Sequence, residues 1–147
     1  FGNVFEKTES VASEAFESKP FKNFEDISIK MLNIYESYKK DKILEILNAH
    51  PELAVAKRMT SESISEQASA KLNECSNEEY EEFKRLNSEY KKKFNFPFII
   101  AVKGKNKNEI LNNFRQRIQS DVESEFLEAK KQVKKIATFR LNEINKK

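Results

Sequence analysis

Glycine and proline are scarce in this chain, and their scarcity constrains the fold more than any other feature of the sequence. The 147 residues include only 2 glycines and 3 prolines. Both residue types interrupt helices and supply tight turns, so a chain with so few of them favours long helices. Hydrophobic residues make up 38% of the chain and charged residues 35%, a balance typical of a globular protein. We therefore expect a single all-α domain over residues 1–147, large enough to bury a core.

The distribution of charge argues against two kinds of partner. The 27 basic and 24 acidic side chains are interspersed, leaving a net charge of +3 without a basic stripe, so we expect no nucleic-acid binding. No apolar run reaches the roughly 20 residues that a membrane span needs, so no membrane contact is expected. Cys75 is the only cysteine. It favours a reducing compartment, and no secretory or peroxisomal signal is recognised, so we expect a cytoplasmic protein.

Apolar residues at spacings of three and four predict the first three helices. The first is expected over residues 8–17, with Thr8 as its N-cap and Phe16 among its inward-facing residues. The second is expected from about Asp26. The third is expected to be capped by Asp41. Together these helices predict the start of a multi-helix bundle.

Three further helix starts are predicted by capping boxes, in which a serine and an acidic residue three positions later bond to each other's backbone. They begin at Ser63, Ser76 and Ser120. The last capping box is expected to open a long C-terminal helix that reaches about Asn142. Another helix is expected before it, over residues 107–118.

A nearly continuous apolar run over residues 94–102 interrupts the helical pattern. It contains Pro97 and several aromatic residues, and Gly104 closes it. Because proline and clustered aromatics are unfavourable inside a helix, we expect one short, buried extended segment here. Such a segment either belongs to the core or lies beside a cavity, where its backbone N–H and C=O groups can bind an amide-rich ligand.

His50 is a candidate proton carrier, because the ordinary pKa of histidine, about 6.5, lies near neutrality. The following Pro51 disfavours helical backbone at His50, so the side chain is expected just past a helix end. The alternative is a histidine that only contributes to that helix end. It is the only histidine in the chain, and no cysteine is close to it in sequence, so a His/Cys metal site is not expected.

Glu66 and Arg140 each have a structural and a functional interpretation. Glu66 ends the capping box that begins at Ser63, so it either caps its helix or helps that helix start to bind an anionic substrate. Arg140 lies on the apolar stripe that runs from Val122 to Ile144, so we expect it to face inward. A buried guanidinium needs a partner, either a core carboxylate or an oxygen atom of a substrate, unless its charged end reaches water.

Four segments, taken in order, resemble the family of OHCU decarboxylases, which convert 2-oxo-4-hydroxy-4-carboxy-5-ureidoimidazoline (OHCU) to (S)-allantoin in urate breakdown. They are Ala49-His50-Pro51-Glu52-Leu53-Ala54, Ser63-x-x-Glu66-Gln67, the aromatic block from Leu86 to Gly104, and Ile136-Ala137-x-x-Arg140-Leu141. The resemblance covers nearly the whole chain, and the aromatic block is its most specific part. It implies an all-helical homodimer without a metal or cofactor.

The resemblance also implies the residues of the site. His50, acting as acid/base, Glu66 and Arg140 would be catalytic. The substrate OHCU would be bound by residues beside His50, at the helix start and on the extended segment, namely Pro51, Ser63, Ile64, Ser65, Glu66, Gln67, Phe98, Ile99, Ile100, Ala101 and Val102.

The chain departs from the family pattern in three places. The stretch between Ala54 and Ser63 is shorter than usual, and Asn95, Ser69 and Lys71 stand where glycines are usual. A side chain in place of a glycine can narrow a site or forbid a backbone angle, so these differences bear on pocket shape. The main alternative is therefore a non-catalytic helical interaction domain, or an inactive family member. In the interaction domain no small-molecule pocket would be found.

Overall fold

The computed structural model describes residues 3–17, 23–53, 61–69, 72 and 75–146. Within those ranges the regular elements are seven α-helices, with no strand, so the predicted all-α class is confirmed. The helices are α1 (Ser10–Phe16), α2 (Phe24–Ser37), α3 (Lys40–Ala49), α4 (Ser61–Ser69), α5 (Asn77–Phe94), α6 (Lys107–Arg117) and α7 (Val122–Lys146).

Helix α7 is the longest of these elements and forms the centre of the bundle. Its 25 residues extend over about 37 Å at the usual helical rise. It packs against α2, α3 and α5, while α1 packs on α2 and α6 packs on α5. Ala129, Val133 and Ala137 are buried along its inner face. Val122 was expected at the start of this apolar stripe but is 51% exposed, because the buried part of the helix begins only at Glu125.

Two of the first three helix starts were predicted with the wrong cap, and the other was predicted too late in the chain. The Thr8 hydroxyl donates to the carbonyl oxygen of Glu6, and α1 begins at Ser10 without a side-chain cap. Phe16, expected in the core, is 37% exposed because it ends this short helix. Helix α2 begins earlier than expected, with Asn23 accepting from the backbone N–H of Asp26. Asp41 lies within the first turn of α3 rather than at its N-cap.

The capping boxes gave one confirmed prediction and two errors. At Ser76 both hydrogen bonds of the box are present, with Glu79 as the partner. Helix α4 begins before Ser63, which places Glu66 in the second turn, too far along to cap the helix start. At the start of α7 the carboxylate of Asp121, not Ser120, accepts from the next turn. The motif alone therefore does not determine where a helix begins: α4 begins before Ser63, and the cap of α7 is one residue after Ser120.

The extended segment was predicted correctly except at its start, because Phe94 is the last residue of α5. From Phe96 to Val102 it carries no helix and is buried. Phe98 stacks on Phe114 of α6 with ring centroids 3.9 Å apart. The segment leaves α5 through Asn95, which has a left-handed backbone with φ 66°. Asparagine tolerates this conformation better than most residues, so it can replace the glycine usual at this position.

Candidate active site

His50 lies just past the end of α3, as the following proline predicted. Its backbone is extended, with ψ 143°. The imidazole is 6% exposed, and its Nδ1 lies 2.9 Å from the carbonyl oxygen of Ile46. A carbonyl oxygen can only accept, so Nδ1 carries the proton and Nε2 presents a lone pair. Nε2 is buried and has no hydrogen-bond partner among the described residues.

Burial decides the protonation state of His50. It lowers the pKa of the imidazole to about 4, because the charged form loses its hydration, and the positive charge of Arg140 acts in the same direction. The Ile46 carbonyl and the negative charge of Glu6 oppose this shift without cancelling it. His50 is therefore neutral at neutral pH, which makes Nε2 a proton acceptor rather than a donor.

Arg140 faces inward from α7 and is 5% exposed, as its place on the apolar stripe predicted. Its Nε and Nη2 donate to the two carboxylate oxygens of Glu66 at 3.0 and 2.9 Å. Its Nη1 donates to the carbonyl oxygen of Asn3 at 2.8 Å and to the carboxylate of Glu6 at 3.2 Å. Arg140 therefore has a core carboxylate as a partner, which was one of the two partners expected for it.

The charge of Arg140 is secure despite its burial. Burial alone would lower the pKa of the guanidinium, but hydrogen bonds and charges from Glu66 and Glu6 outweigh it and raise the pKa above its ordinary value. The site therefore combines a neutral imidazole with a permanent cation. This pairing suits a reaction that needs a base next to developing negative charge.

Two adjoining cavities meet at the Glu66–Arg140 ion pair. The cavity at His50 has a volume of about 30 Å³, enough for about one water molecule. The other has a volume of about 510 Å³, within the range of small-ligand pockets. The residues that line both are Glu66, Ile100, Val102, Ile136 and Arg140. A cavity of this size contradicts the expectation for a pure interaction domain.

Helix α4 places only part of its predicted residues at these cavities. Gln67 is buried at the smaller one, where its Nε2 donates to the carbonyl oxygen of Glu52. Ser65 lines the larger one. Ile64 is 54% exposed and lines neither cavity, because it projects from the opposite side of the helix. The side chains of Ser63 and Ser69, together with Lys71 and the stretch 54–60, lie outside the described residues.

The extended segment forms a wall common to both cavities. Pro51, Phe98 and Ile99 line the smaller cavity, and Ala101 lines the larger. Two of its backbone groups already have partners within the protein. The Ile99 carbonyl accepts from Arg117, and the Ala101 N–H donates to Gln132. These bonds fix the backbone of the segment beside the two cavities.

The sequence analysis missed Glu6 and Asn3, which bond to Arg140 from the N-terminal segment. Glu6 is fully buried and lies 134 positions away from Arg140 in the chain. The inward arginine predicted that a carboxylate could be near it. No local pattern indicated which one, because pairing over such a separation is created by the fold alone.

The described residues contain no group of three His, Cys, Asp or Glu side chains that could hold a metal ion. Among the same residues, no helix is both long and apolar enough to cross a membrane.

Comparison with known proteins identifies relatives along nearly the whole chain. The family model for OHCU decarboxylase matches residues 1–142. The OHCU decarboxylase of Haloferax volcanii is 38% identical over 143 residues, which cover 97% of this chain and 85% of that protein. The uric acid degradation bifunctional protein of Bacillus sp. (strain TB-90) is 39% identical over 97% of this chain, and the chain spans only 28% of that longer protein.

A crystal structure of an OHCU decarboxylase, determined in the presence of (S)-allantoin, has the same fold. It superposes with a TM-score of 0.83 at 24% identity, covering 99% of this chain and 97% of that one.

Proposed function

Because this chain belongs to the OHCU decarboxylase family, we propose that it converts OHCU to (S)-allantoin and CO₂ in urate breakdown. One observation in the structure carries this proposal. The lone pair of His50 Nε2 is buried, without a partner among the described residues, at a cavity that Glu66 and Arg140 also line. A buried polar atom without a partner is costly in a folded protein, and a substrate group would satisfy it.

The reaction breaks the bond between C4 and its carboxylate, and CO₂ leaves without the bonding electron pair. The pair moves into the ring, where the neighbouring C=N bond accepts it and its nitrogen takes up a proton. The C4 hydroxyl then loses a proton to become a carbonyl, while C5 gains one. One proton is consumed overall, as in any decarboxylation of a carboxylate that yields a C–H or N–H bond. The substrate itself thus stabilises the electron pair.

His50 is the residue best suited to move the hydroxyl proton. In its neutral form Nε2 can take the proton from the C4 hydroxyl and return it to C5 from the same side of the ring. This sequence would yield one enantiomer of allantoin. The ring is held for this task by the Ile46 carbonyl.

Arg140 supplies the positive charge that the reaction needs. Negative charge spreads over the substrate oxygens and nitrogens as CO₂ leaves, and a buried guanidinium stabilises it without reorganising. Glu66 bonds to the same guanidinium and lines both cavities, so it can accept from the ureido N–H groups. Gln67 and the side chains of residues 98–102 would shape the cavity around the ring.

We also propose that the chain acts as a cytoplasmic homodimer, which stays a prediction from the family resemblance and from the single cysteine. Analytical ultracentrifugation of the purified protein tests the dimer directly. A monomer at all accessible concentrations would exclude it.

The activity is tested by following OHCU, freshly made from urate with the two upstream enzymes, by circular dichroism. The wild-type protein should accelerate the appearance of (S)-allantoin over the spontaneous decay. His50→Asn should lower kcat by about 10²- to 10⁴-fold, the usual contribution of a general acid/base. Asparagine can still donate to the Ile46 carbonyl, so the helix end should fold.

Asn48→Ala is the matched control, because Asn48 on the same helix makes the equivalent side-chain bond, to the carbonyl of Leu44. It should leave kcat within about threefold. A folded wild-type protein that does not accelerate OHCU decay would contradict the proposed activity. Near-normal turnover by His50→Asn would contradict only the proposed role of the imidazole and would leave the proposed activity in place.

A further inference from the structure

The two edges of the Arg140 guanidinium have different neighbours. The edge formed by Nε and Nη2 meets Glu66, whose carboxylate lies parallel to it in a bidentate pair. The Nη1 end meets Glu6 and the backbone carbonyl of Asn3. The guanidinium is thus bound on one side by α4 and on the other by the N-terminal segment.

The carboxylates on these two sides differ in how a solute can reach them. The Glu66 side chain is 26% exposed and lines both cavities. The Glu6 side chain is 0% exposed and lines neither. A substrate entering the larger cavity therefore meets Glu66 and the Nε–Nη2 edge, and cannot contact Glu6 while Arg140 stays in place.

An arginine whose outer partner can be exchanged needs an inner partner to hold it. If Glu66 were the only anchor, substrate oxygens that displaced it would leave a long side chain free to rotate. Such misplacement by about 1 Å can cost on the order of 100-fold in rate. The Glu6 carboxylate supplies such an inner anchor, because it is fully buried and lines neither cavity.

We infer that Glu6 is a positioning residue for the proposed reaction: it holds the Nη1 end of Arg140 in place while substrate oxygens bind the Nε–Nη2 edge. The inference rests on the proposed function. It assigns Glu6 no contact with substrate. It also makes Glu66 the partner of Arg140 that gives way when substrate binds.

Steady-state kinetics on OHCU with Glu6→Gln tests this inference. The substitution keeps the size of the side chain and removes its charge, so Arg140 loses its inner ion pair. We expect kcat/KM to fall about 10- to 100-fold, mostly through a rise in KM, because the displaced guanidinium binds substrate poorly. Glu6→Asp, which retains the carboxylate one methylene further away, should recover part of the loss.

Tyr35→Phe is the matched control for lost stability. Tyr35 is fully buried, stacks on Phe5, donates to the Lys130 carbonyl and lines neither cavity. Its loss should lower the melting temperature but leave KM within about twofold. If Glu6→Gln behaves like Tyr35→Phe, with lower stability and an unchanged KM, the inference is wrong.

Two other outcomes are also decisive. If Glu6→Gln does not fold, Glu6→Asp takes its place, and a KM equal to that of Tyr35→Phe overturns the inference. If the wild-type protein does not accelerate OHCU decay, the proposed function fails first. That failure is recognised before any variant is compared.

Discussion

Arg117 and Arg140 are both buried, and each bonds to a carboxylate and to a backbone carbonyl. Arg117, at the end of α6, bonds to Glu125 at 2.6 Å and to the Ile99 carbonyl at 2.7 Å. Its guanidinium lies over the Phe98 ring at 4.4 Å. Arg117 lines neither cavity described above, whereas Arg140 lines both. The difference shows that two arginines with the same kinds of partner can differ in whether a solute can reach them.

The surroundings of the two carboxylates make the same distinction. Glu125 is 1% exposed and accepts from both Arg117 and the Tyr90 hydroxyl. Four elements are thereby joined: α5, α6, α7 and the extended segment. The Arg117 network consequently stabilises the fold, while the Arg140 network leaves one carboxylate at a cavity wall.

Arg117→Met should produce the largest loss of stability. It leaves the Glu125 carboxylate buried without its cation, which typically costs about 3–5 kcal/mol of unfolding free energy. Urea denaturation would measure this loss. The folded fraction should keep kcat/KM within about threefold. The double variant Arg117→Met/Glu125→Leu should regain most of the stability. If Arg117→Met alone lost less than about 1 kcal/mol of unfolding free energy, the distinction between the two networks would be wrong.

The free energy of unfolding should depend on pH through His50, which lines the same cavity as Arg140. The pKa of His50 is about 4 in the folded protein and about 6.5 in an unfolded chain. The unfolded state therefore binds more protons, and stability falls as pH decreases from about 6.5 to 4, by at most roughly 3 kcal/mol. Urea denaturation of wild type and His50→Asn between these pH values isolates this contribution from that of the carboxylates.

The same pKa predicts the acid limb of activity. Protonation of Nε2 removes the base, so kcat/KM should decline only near pH 4 and stay level around pH 6.5. A decline centred near pH 6.5 would show that His50 is not desolvated as the structure has it. The same conclusion would follow if the unfolding free energies of wild type and His50→Asn changed equally with pH.

Local patterns predicted the elements well where the signal lies within a few residues. The apolar spacing of α7 placed Arg140 inward, because the position follows from helical periodicity alone. Pro51 placed His50 past a helix end for an equally local reason. The capping box at Ser76 was correct and the one at Ser63 was wrong, although both have the same residue types. The position of a helix start depends on the preceding residues, which the motif does not include.

The composition of the site was harder to predict, because it depends on contacts between distant segments. The Glu66–Arg140 pair joins residues 74 positions apart, and the resemblance to known decarboxylases, not periodicity, brought them together. Glu6 was missed altogether, since the segment around it carries no motif. Ile64 was included through its neighbours in sequence, but helical geometry turns it away from the cavities.

The most direct test of this account compares Arg140→Lys with Arg117→Lys on OHCU. Both substitutions keep the charge and remove the bidentate geometry of the guanidinium. The account predicts that Arg140→Lys lowers kcat/KM about 100-fold, while Arg117→Lys changes it by no more than about threefold and lowers the melting temperature. Equal losses of kcat/KM in the two variants, or a nearly unchanged kcat/KM in Arg140→Lys, would contradict the assignment of Arg140 to the active site.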